Sequence, residues 1–183
     1  MNIIRVSAFR KCRKTLLTFE LPFFRLIALT YFTVIFLAVC TGCGGTPEAD
    51  ISAYGDAPIE ISGLTSEDFT VTPGELAALE CVSRSATGET AKAGTVKAVG
   101  PLLNTFLADY GKNASDFNRI RFIASDGYRV VLRDEYLTDY EVVLSVASGR
   151  EPLQESERPL RILIPEAESG MWEYACIRIE FVE

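Results

Sequence analysis

Five cysteines and no histidine set the chemistry open to this chain. Without imidazole there is no ordinary general base, no nitrogen metal ligand, and no Ser-His-Asp or Cys-His arrangement. What remains is thiolate chemistry, carboxylate acid–base work, Ser-Lys pairs and the reactivity of a bound cofactor. Cys12, Cys40 and Cys43 lie in the first 45 residues, and Cys81 and Cys176 lie beyond them. A deprotonated Cys81 is a soft ligand suited to a transition metal, while a protonated, buried one packs as a small hydrophobe. Arg84 and Arg161 carry guanidinium forks, whose commoner role in so acidic a chain is a surface or structural ion pair. Asp126, in Ser125-Asp126-Gly127, reads as a turn former that bonds nearby amides, and Tyr128 after it as packing. Glu166, Glu168 and Glu173 around Ser169-Gly170 lack the spacing of an EF-hand and read as a solvated loop. Trp172 and Tyr174 read as core or cleft rim.

The charges divide along the chain. Six of the 18 basic residues (Arg5, Arg10, Lys11, Arg13, Lys14 and Arg25) and one of the 25 acids (Glu20) precede an apolar segment, which leaves a balance of −12 beyond it. So acidic a remainder argues against nucleic acid, whose binding needs basic residues to displace counterions, and suits an exposed, soluble surface. Leu26 to Cys40 carries no charge and follows the basic stretch, the order of a secretory signal. Thr41-Gly42-Cys43-Gly44-Gly45 then places small residues around a cysteine and resembles a bacterial lipobox, although Cys40 stands where a leucine is commoner. Val39 is too large for Cys40 to serve instead. The expected organisation is a signal peptide with lipobox at 1–42, lipidation at Cys43, a flexible tether at 43–57 and one domain at 58–183. That domain is expected on the extracytoplasmic face of a cell membrane, held by the lipid anchor. The alternative is an uncleaved helix, since Leu26 to Pro47 is long enough to cross about 30 Å of hydrocarbon.

The elements that must position Cys81, Arg84 and Arg161 follow from periodicity. Ile59-Glu60-Ile61 and Phe69 to Thr72 alternate as half-buried strands do, and Thr72-Pro73 opens a short helix to Leu79. Glu80 to Ser85 and Thr95 to Val99 are strand candidates around a polar loop at Ala86 to Gly94. Pro101 begins the principal helix, with Leu102, Leu103, Phe106, Leu107 and Tyr110 on one face and Gly111 ending it. Arg119 to Ala124 and Tyr128 to Leu132 form a hairpin across the Asp-Gly turn. Glu141 to Ala147, Leu160 to Ile164 and Cys176 to Val182 complete the strands. The fold class is α+β, mostly β in mixed sheets with one principal helix.

Four passages, in this order, resemble the sulfite-oxidase-like molybdopterin-binding domain, over about Ile59 to Phe181. They are Leu79-Glu80-Cys81-Val82, Val99-Gly100-Pro101-Leu102-Leu103 with Phe106-Leu107, Ala124-Ser125-Asp126-Gly127-Tyr128, and Gly149-Arg150-Glu151-Pro152-Leu153 with Pro159-Leu160-Arg161 and Pro165. The resemblance implies that fold, a molybdenum–molybdopterin cofactor, Cys81 as catalytic residue and metal ligand, Arg84 and Arg161 on the pterin phosphate, and an unidentified redox or protein partner. It also implies that Cys81 and Cys176 lie on segments near one pocket, so a disulfide between them stays open beside the metal ligand and the inert thiol. This chain departs from the family in having Ser83-Arg84-Ser85 where a Gly-Asn-Arg-like run is usual, and Tyr174-Ala175-Cys176 where a Lys-Trp pair is. Its n-region, Arg10-Lys11-Cys12-Arg13-Lys14, lacks the Arg-Arg pair of proteins exported with a cofactor already loaded. Two functions therefore stand side by side: a membrane-anchored molybdopterin-dependent oxidoreductase, and a cofactor-free binding or scaffold lipoprotein that keeps the fold.

Overall fold

The computed structural model describes residues 47–88, 94–133 and 135–183. The signal peptide, the lipobox with Cys43, and much of the expected loop before Gly94 lie outside the described residues. No helix among the described residues is long and apolar enough to cross a membrane.

Alternating apolar residues build the largest sheet. Strands β1 (Ile59–Ser62), β2 (Phe69–Val71), β5 (Arg119–Ala124), β6 (Arg129–Arg133) and β11 (Cys176–Val182) run in the order β2-β1-β11-β5-β6, with β1 parallel to β11 and the other pairs antiparallel. Ile59, Ile61, Ile120, Phe122, Leu132 and Ile179 project from it into the core and are fully buried. The expected hairpin is present, with Asp126 Oδ1 accepting the Tyr128 N–H at 2.9 Å and Gly127 at φ +86° closing the turn. Tyr128 is a correction: it is half exposed, beyond the strand that it was expected to begin, and reaches Gly170 O at 3.2 Å.

The candidate residues lie on two further sheets. β3 (Cys81–Thr87), β4 (Thr95–Pro101), β8 (Ala147–Ser148) and β9 (Glu151–Pro152) form one in that order, and β10 (Arg161–Leu163) pairs antiparallel with β7 (Val143–Ser145) in the other. The single strand expected at Glu141 to Ala147 is thus two, because at Val146 the chain leaves β10 and joins β4, the Val146 N–H donating to Val99 O at 2.9 Å. Gly100 permits that close crossing: a Cβ there would fall 1.9 Å from Leu144 O.

Three short α-helices and three 3-10 turns accompany the strands among the described residues. α1 (Pro73–Ala77) carries the expected Thr72 cap, strengthened by Glu75, whose carboxylate accepts the Thr72 N–H at 2.7 Å while Thr72 Oγ1 accepts the Glu75 N–H at 3.2 Å. α2 (Leu103–Ala108) buries Leu103, Phe106 and Leu107 as its spacing predicts. It starts later than expected, since Pro101 is held extended opposite Cys81, and the Leu103 N–H donates to Val142 O at 2.8 Å. α3 (Glu135–Thr138) had no counterpart in the sequence reading. The architecture is α+β, dominated by strands.

The expected tether is corrected from Pro47 onward. Residues 47–57 form a strap on the domain, fastened by Tyr54, which is buried, donates its hydroxyl to Val146 O at 2.7 Å and accepts the Leu153 N–H at 2.9 Å. Arg158 lies over its ring at 4.9 Å.

Candidate functional site

Cys81 opens β3 at the foot of α1. Its half-buried thiol faces carbonyl oxygens, Ala77 O at 3.8 Å and Leu76 O at 4.0 Å, and burial raises its pKa. Carbonyls at the end of a helix accept from a thiol and disfavour a thiolate. Cys176 is fully buried in β11, where burial pushes its thiol up to about 12. Both cysteines are free thiols on different sheets, so the disulfide alternative is not realised.

Arg84 stands three residues from Cys81 in an unbroken register with β4, so the alternation of the strand sends the two side chains to opposite faces. There Arg84 forms a two-pronged pair with Glu141, Nε to Oε2 at 2.6 Å and Nη2 to Oε1 at 3.0 Å. The hydrogen bond to Glu141 and its charge hold the guanidinium in the charged form and lower the Glu141 pKa in turn. Glu141 lines a cleft of about 260 Å³ with Leu102, Asn104, Ala114, Thr138 and Asp139, and neither Cys81 nor Arg161 borders it.

Arg161 lies inside the protein at 2% exposure. Its Nη1 donates to Glu157 Oε1 at 2.8 Å, and its Nη2 to Lys97 O and to Ser145 Oγ at 3.4 Å, which ties β10 to β4 and β7. The fork expected to meet a phosphate is committed to a buried carboxylate four residues back in the chain.

Near Arg161, the sequence reading missed Glu173. Expected in a solvated loop, it is 1% exposed, because its backbone pairs with Ile162 in both directions, at 2.8 and 3.1 Å, and draws the side chain inward. Its Oε1 accepts the Tyr174 N–H at 3.2 Å, and no hydrogen bond of good geometry reaches its Oε2 among the described residues. Burial raises its pKa to about 7, against the lowering effect of the Tyr174 and Val130 amides. Trp172 beside it is core, its indole N–H bonded to Ile164 O at 3.0 Å. Those flanking aromatic residues were the signal that the acidic run turns inward.

These residues do not fit a molybdenum–pterin group. Cys81 faces carbonyls, Arg84 points from the opposite face, and Arg161 is enclosed with Glu157.

No family model and no curated protein matches the chain. Among solved structures it is similar to the sulfane dehydrogenase SoxCD from Paracoccus pantotrophus, with a TM-score of 0.57 and 19% identity over 70% of this chain and 38% of that one. The chain thus spans under two fifths of that structure's chain. At this identity the likeness is one of fold, and it agrees with the α+β, sulfite-oxidase-like architecture that the sequence implied.

Proposed function

We propose that this chain is an extracytoplasmic lipoprotein, anchored through Cys43, whose sulfite-oxidase-like domain acts as a binding or scaffold module without molybdopterin. The burial of Arg161 in its pair with Glu157 carries this reading. Turning that fork toward a ligand would strand the Glu157 carboxylate, and breaking a buried pair in this way costs about 3–5 kcal/mol. The n-region without an Arg-Arg pair agrees, since it points to export before folding.

Thiol counting tests the proposal. The lipidated protein, extracted without reductant and unfolded, should release two titratable thiols, Cys81 and Cys176, with Cys81 alone reacting in the native state. A native Cys81 that stays silent until a bound group is removed contradicts the proposal. One observation favours the second reading, an oxidoreductase: the fold likeness to a sulfane dehydrogenase, together with Cys81 at the start of β3, where the resemblance places a metal-binding cysteine. That reading requires Cys81 and Arg161 to rearrange.

A further inference from the structure

The five-stranded sheet sends alternate side chains into the core and those between them to an outer face, where they are half-buried or exposed. On that face β5 and β6 place Arg119, Arg121, Arg129 and Arg133, and neither strand holds an acid. β11 adds Arg178 and Glu180, and β1 adds Glu60. Five arginines against two glutamates give the strands a balance of +3 here, in a chain whose remainder beyond the apolar segment totals −12. Asp68 stands beside Glu60 at the β2 corner, the end of the sheet away from β5 and β6.

The register sharpens this excess. Arg119 lies directly opposite Arg133, a like-charge pair that costs stability. Glu180 takes Arg121 at 3.1 Å and Arg178 at 3.2 Å, and Glu60 takes Arg178 at 3.6 Å. Among the described residues no carboxylate pairs with Arg119, Arg129 or Arg133. Charges on an edge strand keep other strands from pairing with it, but this accounts for Arg129 and Arg133 alone, since β5 and β11 are inner strands. Apolar side chains lie among the arginines, Val131 opposite Arg121, Ile123 opposite Arg129 and Val182 opposite Arg119. A register shift in β11 between Cys176 and Arg178 leaves Ile177 39% exposed beside them.

We propose that this outer face is where the binding module docks a protein partner whose contact patch is rich in Asp and Glu with apolar residues among them. The proposal rests on the cofactor-free binding reading above and names its partner by chemistry. Guanidinium forks donate two-pronged hydrogen bonds to carboxylates, and arginine with aliphatic side chains and no lysine is the composition of a protein interface. A partner carboxylate between Arg119 and Arg133 offsets their repulsion. The apolar residues favour protein over a phosphate polymer or a headgroup layer, neither of which gives Ile123, Val131 and Val182 a dry counterpart. Charge favours it too, because a polymer anionic along its whole length is repelled by the acidic remainder of the domain, whereas a protein confines its acids to the contact.

Photo-crosslinking of the full lipoprotein, in the cells that make it, tests this. Benzoylphenylalanine replaces Val131, and the same probe at Ser85, exposed on β3, is the reference. The product from position 131 should join a protein through a peptide rich in Asp and Glu, identified by mass spectrometry, at a yield at least about tenfold above that from position 85. Arg119→Glu and Arg129→Glu should each lower this yield at least about tenfold, because each sets a carboxylate against the partner's acids. Neither should lower the urea midpoint of the purified protein, and Arg119→Glu should raise it by turning repulsion from Arg133 into attraction. A midpoint that falls in either variant assigns the arginines a structural role and overturns the proposal. An adduct with lipid, with a phosphate polymer or with a peptide poor in acids overturns it as well, as does a yield no higher than the reference or unchanged in either variant. Molybdenum in the same preparation is read separately: stoichiometric metal overturns the cofactor-free reading, and background metal with no adduct overturns the docking surface alone.

Discussion

Glu173 makes the stability of the domain depend on pH in an unusual sense for an acid. The folded state holds its proton up to about pH 7, against the ordinary value of 4.5, so the folded chain binds more protons than the unfolded one. Its contribution to stability is complete below about pH 4.5 and is lost as pH rises through 7. Glu173→Gln should therefore melt several degrees above the wild type at pH 8, a gap that closes toward pH 4.5, as thermal unfolding across that range would measure. Arg161 is the second residue whose role the fold decides. Arg161→Ala should cost about 3–5 kcal/mol in denaturant unfolding, whether or not the cells supply the pterin, because Glu157 is left buried without its partner. The sequence carried only a hint of the first role, in Trp172 and Tyr174 beside Glu173, and none of the second. Glu173 sits among surface acids, and the pairing of Arg161 depends on β4 and β7, which are distant in the chain.

At the scale of elements, local patterning predicted most of the strands, and distant contacts corrected their ends. The Cys176 to Val182 strand and the Asp-Gly hairpin were legible because alternation and turn chemistry are local signals. The break at Val146 was not, since it comes from the crossing of Gly100 beneath Leu144. Gly100→Ala should prevent that crossing, and soluble yield and circular dichroism should show a chain that fails to fold stably. The strap at 47–57 was read as a tether from its small, acidic and Pro/Gly-rich composition, yet Tyr54 ties it to Val146 and Leu153 across more than 90 residues of sequence. Tyr54→Phe removes the donor to Val146 O and the acceptor for the Leu153 N–H. It should destabilise the fold by about 1–3 kcal/mol in denaturant unfolding and speed proteolysis within the strap.

For the molecule as a whole, the order of motifs was enough to predict an α+β, sulfite-oxidase-like fold, and the likeness to the sulfane dehydrogenase agrees with it. The site was legible only as a set of residue types. Cys81, Arg84 and Arg161 have the right chemistry for a metal–pterin group, but strand parity separates the first two and a buried carboxylate claims the third. In the structure Arg84 and Arg161 are held in ion pairs with Glu141 and Glu157, as the proposed cofactor-free function requires. Metal analysis of the full lipoprotein, made in a strain that assembles the pterin cofactor, tests this most directly. The proposed cofactor-free function predicts molybdenum at background level, unchanged in Cys81→Ser. Molybdenum near one atom per chain in the wild type, lost in that variant, would contradict it.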